Sequence, residues 1–117
     1  MARLSTHVLD TARGVPARDI EVLLHRVSGD TRVIVTRATT NADGRTEAPL
    51  LQGDTIEPGI YELTFHVAAY LAESGATLTA PPFLGDIVIR IGLADATGDY
   101  HVPLLLAPYG YSTYRGS

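Results

Sequence analysis

The sequence predicts an all-β fold, a sandwich or a barrel, with one short helix, and three observations point there. Runs of alternating apolar and polar residues recur along the chain. In the cleanest, Tyr61, Leu63, Phe65 and Val67 alternate with Glu62, Thr64 and His66. Clusters of turn-forming residues separate these runs at fairly even spacing. Only one stretch, 68–74, reads as helical. At 117 residues the chain fits a single domain, 1–117, since domains most often hold roughly 100–150 residues. Such a chain can bury one real core but not two.

The first strand is expected over 4–9, and Arg13-Gly14-Val15-Pro16-Ala17 breaks it. A second, over 20–27, sets Ile20, Val22 and Leu24 on one face and Glu21 and His25 on the other. Ser28-Gly29-Asp30 turns it into a third over 32–39. Asn41-Ala42-Asp43-Gly44 is a strong turn signal, with Arg45 directly after it. Gln52-Gly53-Asp54 and Glu57-Pro58-Gly59 bracket an irregular stretch before the strand of Tyr61 to Val67. The helix is about two turns long at ~3.6 residues per turn, with Gly75 placed to end it. A loop containing Pro81-Pro82 leads to Ile87, Ile89, Ile91 and Leu93. A turn over 94–99 precedes a strong strand over 100–106. Ala107-Pro108-Tyr109-Gly110 then turns into a last extended run over 111–114.

Composition narrows the function classes. The hydrophobic fraction of 45% and charged fraction of 19% are those of a globular protein, not a disordered one. With no cysteine, neither a disulfide nor a thiolate metal site can form. A formal charge of −4 without any basic run argues against nucleic acid as a partner. The first residues hold no apolar stretch of signal-peptide length. No segment approaches the ~20 apolar residues of a membrane span. A soluble, cytoplasmic protein without a membrane partner is the expectation. No spacing matches a zinc signature, a phosphate-binding glycine loop or a serine-hydrolase elbow.

The late strand carries a further signal. If Tyr100, Val102, Leu104 and Leu106 face the core, then His101, Pro103 and Leu105 face away. That outer face suits water poorly, and proline cannot donate to a sheet ladder. The strand should therefore lack a hydrogen-bonded neighbour at Pro103, and another subunit is expected to cover the face. Of the four histidines, His25 and His66 lie opposite apolar faces among polar neighbours, so solvent is their default. His7 sits beside Thr6 and near Asp10 and, taken alone, reads as structural. His101, on an otherwise apolar face, needs partners or a purpose. Arg45 alone is an ordinary surface arginine.

The chain closes on Tyr114-Arg115-Gly116-Ser117, setting an aromatic, a guanidinium, a hydroxyl and a free α-carboxylate within four residues. The plain alternative is an edge strand running out, since chain ends are usually frayed and tolerant. The residues alone reach a β-sandwich with two candidate histidines and an unusual terminus.

Three segments carry a family resemblance: Leu4-Ser5-Thr6-His7-Val8-Leu9-Asp10, Asp43-Gly44-Arg45, and His101-Val102-Pro103-Leu104-Leu105 followed by Tyr109-Gly110-Tyr111-Ser112-Thr113-Tyr114-Arg115-Gly116-Ser117. Together they resemble the 5-hydroxyisourate hydrolases, the transthyretin-related enzymes of urate breakdown. The likeness covers essentially the whole chain, and the terminal Tyr-Arg-Gly-Ser is its specific part. Transthyretins, the hormone carriers of the same fold, lack that tetrapeptide, the two histidines and the arginine. Asp99 stands where many members of the family have a further histidine.

The resemblance implies a transthyretin-like two-sheet β-sandwich with one short helix. It implies hydrolytic opening of 5-hydroxyisourate at a ring amide carbonyl, without cofactor or metal. On that footing His7 and His101 position and deprotonate water and return the proton, since imidazole titrates near neutrality. Arg45 holds carbonyl oxygens and favours the developing oxyanion, an effect of about 3 kcal/mol per donor. Ser117 acts by hydroxyl or carboxylate. Tyr114 and Arg115 line the substrate pocket with His7 and Arg45, and Gly116 lets the backbone approach closely. A homotetramer, a dimer of dimers with sites between dimers, is implied, acting on a small purine-derived substrate. The rival reading is a transthyretin-like carrier of a small ligand, which has no need of this set of residues.

Overall fold

The computed structural model describes residues 2–53 and 56–116. The two sheets are separate, which makes the fold a sandwich and not a barrel. Strands β1 (Arg3–Asp10), β2 (Val15–Pro16), β5 (Leu51–Gln52), β8 (Asp99–Ala107) and β9 (Gly110–Thr113) form one sheet. Strands β3 (Glu21–Ser28), β4 (Thr31–Thr39), β6 (Gly59–His66) and β7 (Asp86–Leu93) form the other. Helix α1 (Ala68–Glu73) links β6 to β7 and ends at Glu73, one residue short of the expected span, with Ser74 as its C-cap. The two-residue strands β2 and β5 fall in stretches that read as breaks. Each is too short to show a period of two, and both exist by pairing with β1, at Leu9↔Pro16 and Leu4↔Leu51 among others.

Alternation decides what is buried. Along β1, Leu4, Thr6, Val8 and Asp10 are buried while Arg3, Ser5, His7 and Leu9 face outward. Along β8, Tyr100, Val102, Leu104 and Leu106 enter the core with β3's Val22 and Leu24 and β6's Leu63 and Phe65. Burying each of these larger side chains contributes about 1.5–3 kcal/mol before chain entropy is counted. The two polar members are paired. Thr6 donates its hydroxyl to the Val102 carbonyl at 2.7 Å. Asp10 accepts from the Tyr70 hydroxyl at 2.7 Å and the Arg13 amide at 3.0 Å.

β8 lies between β1, which it joins in parallel, and β9, which it joins in antiparallel. The β9 ladder runs from Ala107↔Gly110 to Leu104↔Thr113 and resumes only at the isolated bridge His101↔Gly116. Pro103 lies in the gap on the β9 side, where its missing amide proton would point. The expectation that it lacks a neighbour and faces away needs correction: it pairs with His7 of β1, its carbonyl accepts the Thr113 hydroxyl at 2.7 Å, and it is buried within the single chain. His25 and His66 lie toward solvent as expected, partly covered by cross-strand neighbours, His25 near Arg32 and His66 against Asp86 at 2.8 Å.

Candidate active site

The outer face of the β1–β8 sheet gathers residues from three distant parts of the chain. Parallel register sets Ser5 opposite His101 and His7 opposite Pro103. On β1's other side, between its pairings with β2 and β5, Arg45 bridges to His7. The Gly116 amide donates to the His101 carbonyl at 2.6 Å, which lays the end of the chain along the start of β8. A cavity of about 190 Å³ opens among Arg3, Ser5, Arg45, Asp99, Tyr100 and His101.

The turn that presents Arg45 is built by Asn41. Its side-chain oxygen accepts the amides of Asp43 at 2.9 Å and Arg45 at 3.3 Å, a local closure that asparagine favours. Gly44 adopts φ +75°, and its carbonyl accepts the Val8 amide at 2.8 Å. A side chain there would collide with the Val8 carbonyl oxygen, so both backbone conformation and close approach require glycine.

The same turn sets the state of His7. Its Nε2 lies 2.8 Å from the Asp43 carbonyl oxygen, which can only accept. Nε2 therefore carries the hydrogen, and Nδ1 of the neutral ring keeps the lone pair. Burial, then the Arg45 charge, holds His7 below the ordinary imidazole range, and the Asp43 carbonyl partly offsets this. His101 is also held low, first by burial and then by Arg45, His7 and Arg3. Both rings are thus neutral near pH 7 and able to accept a proton.

The end of the chain is stitched down on the same side. Arg115 lies over the Tyr100 ring at 4.5 Å and donates to the Asp99 carbonyl at 3.3 Å. Arg3 pairs with the Asp99 carboxylate at 3.3 Å. Gly116 packs so closely that a Cβ there would stand 2.9 Å from His101 Cδ2. Of the predicted residues, His7, Arg45 and His101 share the face, and Arg45 and His101 line the cavity directly. Arg115 and Gly116 touch residues that line it without lining it themselves, and Tyr114 is exposed and not part of the lining. Ser117 lies outside the described residues. Sequence reasoning missed Ser5, Arg3 and the Asp43 carbonyl, and assigned no site role to Asp99. For Ser5 the period-two spacing to His7 was the one available signal. Among the described residues no group of histidine and carboxylate side chains is placed to hold a metal ion. No helix among them is long and apolar enough to cross a membrane.

Known proteins resemble this chain along nearly its full length. A 5-hydroxyisourate hydrolase of Deinococcus radiodurans is 54% identical over 114 residues, which cover 97% of this chain and 95% of that one. The solved 5-hydroxyisourate hydrolase of Klebsiella pneumoniae superposes with a TM-score of 0.80 at 34% identity, each chain covered to 100%. An (S)-allantoin synthase structure gives 0.93 at 42% identity over 99% of this chain, which spans 44% of that longer one. The model of the HIUase/Transthyretin family matches residues 4–116, and with these likenesses it places the chain in that family.

Proposed function

We propose that this protein is a 5-hydroxyisourate hydrolase, opening the six-membered ring at an amide carbonyl to give 2-oxo-4-hydroxy-4-carboxy-5-ureidoimidazoline. The observation that carries the reading is the meeting of two neutral histidines and Arg45 on one sheet face beside a cavity. Hydrolysis of a lactam needs a base for water, a charge for the oxyanion and a proton for the departing nitrogen. His7 Nδ1, left with its lone pair by the Asp43 carbonyl, takes the water proton. The water oxygen bonds to the carbonyl carbon, and the π pair moves to the oxygen beside Arg45. The proton taken by His7 passes through solvent to His101. Collapse of the adduct breaks the C–N bond as His101 delivers that proton to the departing nitrogen, which leaves both rings neutral again.

Gly116 belongs to this reading as the wall against His101, and Tyr114 and Arg115 as substrate contacts. Ser117, outside the described residues, is the group that orients a histidine or substrate through its hydroxyl or carboxylate. No cofactor or metal enters the scheme. The chain acts as one domain, in the cytoplasm, as a homotetramer built as a dimer of dimers. Support for assembly comes from the outer sheet face, where Leu9 and Leu105 are only half-buried and border an apolar cavity of about 230 Å³. Freshly made 5-hydroxyisourate, generated by uricase acting on urate, tests the activity. Added protein should accelerate decay of its ultraviolet absorbance. Decay no faster than in buffer would leave the small-ligand carrier as the better account.

A further inference from the structure

We infer that Ser5 is a positioning residue for His101, holding Nδ1 so that proton exchange with substrate takes place at Nε2. The inference rests on the hydrolase reading for its catalytic meaning and on geometry for its existence. The Ser5 hydroxyl lies 2.8 Å from His101 Nδ1, brought there by the parallel register of β1 and β8 across 96 positions of sequence. On the ring's other edge Gly116 closes against Cδ2 and Cγ. With Nδ1 engaged and Cδ2 covered, the remaining nitrogen is Nε2, for which no described residue supplies a partner. Both Ser5 and His101 line the cavity.

The two histidines are thereby held by partners of different kinds. The Asp43 carbonyl accepts only, which locks His7 into one tautomer. A serine hydroxyl both donates and accepts by rotating its own hydrogen. Exchange at Nε2 runs between the protonated ring and the neutral ring that keeps its hydrogen on Nδ1, and the Ser5 hydroxyl accepts from Nδ1–H in both. Ser5 therefore satisfies His101 in both states that a proton carrier must visit. A carboxylate there would favour the charged state alone.

The test pairs Ser5→Ala with Ser5→Thr, which keeps the hydroxyl. In nitrogen-15-labelled wild-type protein the His101 ring should show one neutral tautomer, with the hydrogen on Nδ1. Ser5→Ala should show a mixture and lose about tenfold in kcat, the worth of one hydrogen bond, with KM little changed. Ser5→Thr should restore both. An unchanged ring signature in Ser5→Ala overturns the inference whatever happens to turnover. So does a wild-type kcat, or a Ser5→Thr variant as impaired as the alanine. If wild-type protein fails to accelerate 5-hydroxyisourate decay, the hydrolase reading falls, while the ring signature still decides the role of Ser5.

Discussion

Gly44→Ala is the substitution whose effect the structure specifies most closely. At φ +75° an alanine enters the left-handed region, which costs about 1–2 kcal/mol for an L residue. Its Cβ would also strike the Val8 carbonyl oxygen and press Pro16 Cβ at 3.2 Å and the Ala17 amide at 3.3 Å. These are backbone and ring atoms that cannot rotate away, so overpacking adds about 1–3 kcal/mol. The total is about 2–5 kcal/mol. In a chain of this size about 1 kcal/mol moves Tm by roughly 4 °C, which places the loss at about 8–20 °C. Gly29→Ala is the control. Gly29 has φ +59° in the β3–β4 turn, and a Cβ there meets nothing within 4 Å. It carries the backbone cost alone, about 1–2 kcal/mol. Thermal unfolding followed by circular dichroism separates the two. Equal Tm losses in both variants would refute the idea that the Gly44 turn is wedged against β1. Gly44→Ala should also reduce turnover, since Asp43 and Arg45 flank the displaced residue.

Other predictions concern the site and the opposite sheet. His7→Asn and His101→Asn should each lower turnover by a hundredfold or more, on the order of general acid–base assistance, with assembly retained by size-exclusion chromatography; wild-type rates in both would remove the histidines from the mechanism. Deleting 114–117 should abolish turnover while the circular dichroism spectrum persists, and full activity after that deletion would separate the tail from the chemistry. Because both histidines are held below the ordinary imidazole value of 6.5, the acid limb of kcat/KM should fall below that pH; a limb at or above it contradicts the environment described. The linkage has the matching sign: the unfolded rings bind protons first, so the two histidines withdraw stability as pH drops through about 6.5. Glu62→Gln should lower Tm at pH 7, since hydrogen bonding to Arg90 holds the Glu62 carboxyl below its usual range. That contribution is present above the ordinary value of 4.5 and is lost as pH falls through the lower folded value, so the difference from wild type should close on acidification.

Elements with a long enough run were legible from local pattern. The alternation of Tyr61 to Val67 and of Ile87 to Leu93 gave β6 and β7; in β7 burial follows that alternation, while in β6 the polar Glu62 and Thr64 are buried along with the apolar face. β2 and β5 were invisible for the opposite reason, each being two residues held by β1. Pro103 announced its gap in the ladder because a missing amide proton is a property of the residue alone. The contact between Ser5 and His101 could not be read, since it depends on the parallel partner chosen by β1. Resemblance supplied His7, Arg45 and His101 together, which spacing along the chain did not. It gave Asp99 no role in the mechanism, yet the structure puts that carboxylate in the cavity wall, paired with Arg3.

The two outer faces of the sandwich differ in how their charges are paired. On the face of the β3–β6 sheet, Glu62 is buried and held by Arg32 at 2.8 Å and Arg90 at 2.8 Å, while His66 meets Asp86 and Glu21. There the charges neutralise one another, the arrangement of a face that needs only to be stable in water. Among the described residues, the cation–acid pair on the β1–β8 face is that of Arg3 and Asp99, both in the cavity wall. Arg45 forms no ion pair among those found between described residues, and each imidazole has one nitrogen held and the other available. In the proposed reaction Arg45 is thus free to attract a developing oxyanion, while burial and the Arg45 charge favour the neutral form of both rings against the opposing pull of Asp43 on His7.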